Sequence, residues 1–128
     1  MTWNPYLRKW LMLYNHYPNG IIYRVADKPG GPWSEARILF DEACDRGFCH
    51  FMHVSYEKSH CDNLSDVPKE NMSGGAYGPY VIPRFTKGDA TTTTIYWTMS
   101  TWNPYQVMLM KSTLRLSDWR RVDHPQRP

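Results

Sequence analysis

No run of apolar residues in this sequence approaches the roughly 20 that a membrane-spanning helix needs. Hydrophobic residues make up 41% of the 128 residues, and polar or charged residues interrupt them at short intervals. The N-terminus has neither a charged segment nor an apolar one after it, so it does not have the form of a signal peptide. The sequence therefore predicts no membrane partner, and its strand-like start suggests that further sequence precedes Met1.

Neither sign of charge is in large excess. Lys and Arg number 15 and Asp and Glu 12, which gives a net charge of +3 at pH 7. The basic residues are spread along the chain, whereas a nucleic-acid-binding domain concentrates them in a patch or stripe. We therefore expect no nucleic-acid partner.

Cysteine is scarce, and its spacing does not match a metal site. The odd number of cysteines (Cys44, Cys49 and Cys61) leaves at least one free thiol in an oxidised chain. Three arrangements stay open: all three reduced, a disulfide between Cys49 and Cys61, or one between Cys44 and Cys61. Histidines occur in the same segment, at His50, His53 and His60. The segment has no CxxC pair and no zinc-finger spacing, so no cofactor or metal ligand is assigned, and a structural metal ion stays open.

The sequence is rich in aromatic residues, proline and glycine. Aromatics make up 15%, with ten Pro and eight Gly, a composition that favours strands and tight turns. Residues 74–116 contain three β-branched and aromatic runs separated by turns, which predicts an antiparallel meander. Gly88 is predicted to supply a positive φ in a hairpin turn. The central run, residues 95–99, is apolar on both faces and predicts a strand covered on both sides.

The N-terminal half also predicts short strands. The predicted elements are strands at 7–14, 21–26 and 35–40, a helical turn at 41–47, a further strand at 48–56 and a long polar loop at 57–73. Asn19-Gly20 is a strong hairpin signal between the first two strands. Ile38 and Phe40 are expected on one face of the third strand, at the edge of the sheet.

One five-residue sequence occurs twice. Thr-Trp-Asn-Pro-Tyr stands at residues 2–6 and again at 101–105. The sequences that follow the two copies differ. We therefore interpret the repeat as a shared turn, with Asn held extended before Pro, more than as a duplicated unit.

Two longer motifs carry a resemblance to a known family. Gly-Ala-Tyr-Gly-Pro-Tyr at 75–80 is followed by Ser-Thr-Trp-Asn-Pro-Tyr-Gln-Val-Met-Leu-Met at 100–110. Together they resemble the C-terminal part of family 4185 of the domains of unknown function, part of which is grouped with glycoside hydrolase family 183, the endo-D-arabinanases. The resemblance implies a five-bladed β-propeller and a secreted, carbohydrate-active protein with arabinan-type substrates.

The predicted fold class is all-β, with antiparallel meander sheets that form about two blades of a five-bladed β-propeller. The organisation is one partial domain over residues 1–128: blade-like 1–47, a loop and linking strand at 48–73, blade-like 74–122 and a tail at 123–128. The first blade is expected to lack its innermost strand. Two blades do not close a ring, since propellers typically have about 4–8. Missing N-terminal blades or self-association are the two expected ways to complete it.

Glycosidic cleavage normally takes two carboxyl groups about 5–10 Å apart. The resemblance implies that these come from inner strands of early blades, whereas nearly all acidic residues here fall in turns, loops or edge strands. We therefore expect a catalytic pair upstream of Met1 and no hydrolase activity in the isolated chain. Asp62 and Asp66 in the long loop are weak local candidates, as is His53, expected to face a central channel.

Sugar binding is the better supported function. Aromatic rings stack on the C–H faces of sugars, and hydroxyl or amide groups orient them. The predicted substrate-binding residues are Tyr77, Tyr80, Trp102, Asn103 and Tyr105. Trp33 and Trp97 are predicted to serve packing. The expected partner is a polysaccharide or oligosaccharide outside the cell, and the alternative is a non-catalytic binding or interaction module that assembles as an oligomer.

Overall fold

Two antiparallel sheets form the protein in a computed structural model, which describes residues 1–18, 20–54 and 72–119. The first sheet contains β1 (Thr2–Asn4), β2 (Lys9–Asn15), β3 (Ile21–Ala26) and β4 (Arg37–Phe40), in that order. The second contains β5 (Gly75–Val81), β6 (Lys87–Gly88), β7 (Thr92–Trp102) and β8 (Gln106–Arg115). Two short 3-10 helices occur at Pro83–Phe85 and Leu116–Trp119. Among the described residues, no helix is long and apolar enough to span a membrane.

The predicted hairpin between β2 and β3 is confirmed. Asn15 pairs with Ile21, and the N–H of His16 donates to the carbonyl of Gly20 at 2.8 Å. Gly20 has φ +64°, and a Cβ atom there would lie 2.4 Å from the carbonyl oxygen of Phe40. This position therefore needs glycine both for its backbone conformation and for its contact with β4.

The first sheet has four strands, so the expected absence of an innermost strand is wrong. Thr2 and Asn4 pair with Leu11 and Lys9 and place β1 beside β2. The short β1 was missed because only three residues pair before the turn.

At the other edge of this sheet, β4 lies where the sequence predicted it. However, Ile38 is 55% exposed while Phe40 is 1% exposed. Ile38 pairs with Ile22 and Phe40 with Ile21, so that Leu39 is an extra residue in β4. Two residues of β4 therefore lie opposite one residue of β3. The extra residue changes which side chains face the core, so Ile38 lies on the opposite face from Phe40.

The predicted meander at residues 74–116 is confirmed as the second sheet. β5 and β6 lie one after the other along one side of β7, and β8 pairs along its other side. Gly88 lies in β6, and its φ is not positive, contrary to expectation. Its small size matters for another reason: a Cβ atom would lie 2.3 Å from the carbonyl oxygen of Thr92.

The core lies between the two sheets. Alternate residues of β7 are buried, and Trp97 at its centre is fully buried, with its ring N–H donating to the Ser112 hydroxyl at 3.0 Å. The predicted packing role of Trp97 is confirmed. The core residues are Leu7, Leu11, Ile21, Tyr23, Val25, Phe40, Met52, Val81, Ile95, Trp97, Met99 and Leu114. Across the sheets, the side-chain amide of Asn4 donates to the Thr93 hydroxyl at 3.1 Å.

Residues 41–54 connect the sheets without forming a strand. The N–H of Asp45 donates to the carbonyl of Asp41 at 2.9 Å, which is the predicted helical turn. The strand predicted at 48–56 is wrong over its described part: Phe48 and Met52 form an isolated bridge around a turn. Its N–H groups are satisfied locally, as those of Phe51 and Met52 donate to the Gly47 carbonyl at 3.1 Å.

The cysteines are partly oxidised. Cys49 is disulfide-bonded, and Cys44 is an exposed free thiol. The alternatives with three reduced cysteines or with a disulfide at Cys44 are therefore wrong. A side-chain hydrogen bond to Asp41 raises the pKa of the Cys44 thiol, which disfavours the reactive thiolate.

The predicted all-β fold class is confirmed. The two antiparallel sheets pack face to face over one core, with no closed barrel in the described residues, as expected for part of a propeller. β7, however, is covered by the first sheet on one side only within the described part of the chain.

Candidate functional site

The candidate site is the face of the second sheet turned away from the first, here called the outer face. Side chains of paired residues share a face, and the pairing places Tyr77, Ser100 and Val107 in one row and Tyr80, Thr98 and Leu109 in the next. Three rows continue toward the other end: Tyr96 with Lys111, Thr94 with Lys87 and Thr113, and Thr92 with Arg115. The outer face thus brings together strands that are distant in sequence.

Tyr77 and Tyr80 are both solvent-accessible, at 40% and 66% exposure. The register between them shifts, which marks a bulge in β5. Gly78 within the bulge has φ +60°, a conformation that glycine adopts without steric cost. The bulge puts both tyrosines on the outer face although three positions separate them.

The expected crowding of the backbone at Gly78 is wrong. A Cβ atom there would meet only the hydroxyl of Ser100, at 4.0 Å. Glycine is needed for its backbone conformation and leaves open space beside Tyr77. Pro79 lies in the edge strand β5, where the missing N–H breaks no ladder bond with a further strand.

In the two rows that contain Tyr77 and Tyr80, the outer face has small hydroxyl residues on its central strand and larger residues on both sides. Ser100 and Thr98 lie on the central strand, with Tyr77 and Tyr80 on one side. On the other side, Val107 and Leu109 are 68% and 65% exposed. Since the central side chains are short, the flanking ones stand above them and form a shallow channel with a hydroxyl floor.

Most of this channel was missed by the sequence analysis. The sequence signal that could have identified these residues was the alternation of side chains between the two faces of β7 and β8. It applies to Thr98, Ser100, Val107 and Leu109. That alternation shows which residues share a face but not which face meets the core. The run at residues 95–99 was expected to be covered on both sides because Tyr96 is aromatic. In the structure Tyr96 is half-buried and contacts Phe85 edge to face, with ring centroids 6.3 Å apart.

The other predicted sugar-binding residues differ in how far their side chains are buried. Trp102 is half-buried at the end of β7, in the row of Gly75, and Tyr105 in the following turn is 63% exposed. Asn103 is fully buried, and its side-chain amide donates to the carbonyl of Met72. Asn103 therefore ties the turn to the segment before β5 and does not lie on the surface.

The two copies of the repeated sequence form turns between antiparallel strands, as predicted. In the first copy, the side-chain oxygen of Asn4 accepts from the N–H groups of Tyr6 and Leu7, each at 3.1 Å. In the second, Asn103 has φ +60°, so the expectation that Asn is extended fails there. The two asparagines also have different partners, since the Asn4 amide donates to the Thr93 hydroxyl and that of Asn103 to the Met72 carbonyl.

The candidate catalytic residues do not form a site in the described structure. His53 is fully buried, so its expected exposure to a central channel is wrong. Its backbone joins two segments: its N–H donates to the Asn103 carbonyl at 3.2 Å, and its carbonyl accepts from Gly74 at 2.6 Å. Asp62 and Asp66 lie outside the described residues. No group of three His, Cys, Asp or Glu suited to a metal ion occurs in the described residues.

The acidic side chains of the described residues mostly serve turns. Hydrogen bonds from Cys44 and Ala43 lower the pKa of Asp41. A carboxylate oxygen of Glu42 accepts from the N–H of Ala76 at 2.9 Å. The strands of the second sheet contain no Asp or Glu at all. The strands of the outer face therefore offer no carboxylate pair for hydrolysis.

A groove of about 430 Å³ lies elsewhere, along β3 and the β3–β4 connection of the first sheet, with Asp118 after β8 also in its lining. Trp33 lines it and is half-buried. Lys9 and Asp27 form an ion pair at 2.5 Å in its wall, and the guanidinium of Arg37 donates to the backbone carbonyl of Asp118. Lys9, Asp27 and Arg37 in this groove are thus engaged in contacts within the protein.

Comparison with known proteins places this fold in a family. No curated protein and no solved structure matches the chain. The family model described as domain of unknown function DUF4185 matches residues 1–111 of the 128. Because that match covers most of the chain, the protein belongs to the DUF4185 family.

Proposed function

We propose that this chain is the C-terminal, carbohydrate-binding portion of a glycoside hydrolase-like DUF4185 propeller. The observation that carries the proposal is the exposure of Tyr77 and Tyr80 on one face, beside the hydroxyl floor of Ser100 and Thr98. Aromatic rings provide stacking area for the C–H faces of sugars, and hydroxyls exchange hydrogen bonds with sugar hydroxyls. Arabinan-type polymers are the first substrates to test, because the sequence motifs resemble endo-D-arabinanases.

A complete catalytic site is not part of this proposal. Hydrolysis needs two carboxyl groups on either side of the glycosidic bond, and the second sheet contributes none. The alternative function is a non-catalytic binding or interaction module that assembles as an oligomer. The exposed Val107 and Leu109 favour that alternative, since apolar side chains exposed on a sheet face suit packing against another protein surface.

An extracellular location fits the same proposal. Cys49 is disulfide-bonded, and disulfides persist mainly in oxidising compartments. A polysaccharide partner is most accessible outside the cell.

Titration calorimetry with arabinan oligosaccharides tests the binding site. We expect Tyr80→Ala to weaken binding by about 1–3 kcal/mol, the usual size for one aromatic contact in a ligand site. Tyr17→Ala is the matched control, because Tyr17 is 95% exposed and belongs to the β2–β3 hairpin of the first sheet, not to the strands that form the outer face. Equal affinity of the two variants and the wild type would contradict the proposed site.

An activity assay tests the catalytic part. The purified chain, incubated with arabinan and other furanose and pyranose polymers, is expected to release no reducing ends. Turnover that disappears in Asp62→Asn or Asp66→Asn would show that the long loop supplies a catalytic carboxylate after all.

A further inference from the structure

The outer face is basic at the end beyond Tyr80. Its four cationic residues are Arg84, Lys87, Lys111 and Arg115. Lys111 lies beside Tyr96, and Lys87 beside Thr94. Arg84 belongs to the same group, because its guanidinium lies 4.7 Å from the ring centre of Phe85, which contacts Tyr96.

These cations have no neutralising carboxylate on their sheet. β5 to β8 contain no acidic residue, and the ion pair that the described residues form joins Lys9 and Asp27 in the first sheet. Asp89 lies in the turn at the margin of this end, but its carboxylate accepts hydrogen bonds from Thr91 and Thr92. The charge of Asp89 offsets only one of the four cations, and the net positive charge left on this face favours an anionic partner.

From this unbalanced charge we propose that the glycan bound by the outer face is anionic, a polymer whose sugars carry carboxylate, sulfate or phosphate groups. The inference rests on the proposed carbohydrate function and names its substrate class. A nucleic acid would use the same two features, aromatic rings and cations. The hydroxyl floor between Tyr80 and Leu109 favours a glycan, because it can form hydrogen bonds with sugar hydroxyls. A nucleic-acid base at the same place would need a further aromatic ring for stacking.

The spacing of the rows suits an oligosaccharide that contacts both ends. Rows on one face of a sheet are about 7 Å apart. Tyr80 shares the row of Thr98, Lys111 lies in the next row and Lys87 in the one after. Because β7 lies between β5 and β8, Tyr80 and Lys111 are also two strand spacings of about 5 Å apart across the sheet. A sugar stacked on Tyr80 and a neighbouring sugar that crosses β7 would bring an acid group within reach of the long Lys111 side chain.

The test measures binding of polygalacturonate, neutral arabinan and oligothymidylate to the full chain by calorimetry. We expect polygalacturonate to bind tightest, and Lys87→Gln combined with Lys111→Gln to weaken that binding about tenfold. Raising NaCl from about 50 mM to about 500 mM should weaken it as well, because exposed charges are screened. Lys28→Gln, in the turn after β3, removes a lysine away from the outer face and should change nothing.

The remaining outcomes separate the inference from the function on which it rests. Equal binding of arabinan and polygalacturonate, lost in Tyr80→Ala but unchanged in the double lysine variant, overturns the anionic class and leaves the carbohydrate function standing. Tighter binding of oligothymidylate overturns the inference in favour of nucleic acid. Absence of binding to all three polymers overturns both.

Discussion

Trp97 and Tyr80 are close in the second sheet but differ in what surrounds them. Trp97 faces the core and is fully buried, whereas Tyr80 in the neighbouring strand is 66% exposed. Trp97→Ala should lower the free energy of unfolding by roughly 3–5 kcal/mol, because it leaves a large cavity, and it also removes the partner of Ser112. Tyr80→Ala should change stability little. Chemical denaturation of the two variants checks this.

The opposite result would contradict the assignment of Trp97 to the core and Tyr80 to the surface. If Tyr80→Ala unfolds the protein while Trp97→Ala leaves it intact, the assignment of the core and outer faces is reversed. The proposed sugar site would then have no exposed tyrosine to carry it.

The turn between β6 and β7 depends on one carboxylate, that of Asp89. Asp89 accepts hydrogen bonds from Thr91 and Thr92, which lower its pKa from 3.8 to about 2, with the Thr91 hydroxyl as the largest cause. A lowered folded-state pKa stabilises the protein above the unfolded value, and this contribution is lost as the pH falls through about 2. The melting temperature of Asp89→Asn should therefore lie below that of the wild type at pH 7, and the difference should shrink toward pH 2.

Glu35→Gln is the control for this experiment, since it removes an exposed carboxylate from the other sheet. A difference between Asp89→Asn and the wild type that is the same at neutral and acid pH would show that the charge of Asp89 does not stabilise the turn.

On each side of the molecule, one sheet face is not covered by another sheet of the described residues. The first sheet exposes Trp3 and Ile38, and the second exposes Tyr80, Val107 and Leu109. Exposed apolar area of this kind drives association. Light scattering should therefore give a mass above the 15.1 kDa of one chain, rising with protein concentration, and Val107→Ser with Leu109→Ser should lower it.

Tyr17→Ser is the matched control, because Tyr17 is exposed but lies on neither sheet face. A cooperatively melting monomer at all concentrations would count against the two-blade interpretation. If the outer face serves both association and sugar binding, added glycan should lower the measured mass.

Local chemistry determined the parts of this protein that could be predicted from the sequence. Asn19-Gly20 placed a hairpin correctly because glycine supplies the backbone conformation that the turn needs. The β-branched and aromatic runs at 74–116 placed the second sheet, and the position of Trp97 in the middle of its run placed it in the core. Tyr77 and Tyr80 were selected as exposed candidates, and they lie at the surface.

Only the tertiary structure decided which faces meet and which residues become neighbours. The extra residue in β4 turned Ile38 outward, and Asn4 and Asn103 have different partners although they stand in the same five-residue sequence. The basic residues spread along the sequence come together on the outer face, because antiparallel pairing brings Lys87 and Lys111 to the same end of β7. Side-chain alternation fixes which residues share a face, but the choice of buried face depends on packing between sheets, which the sequence does not state.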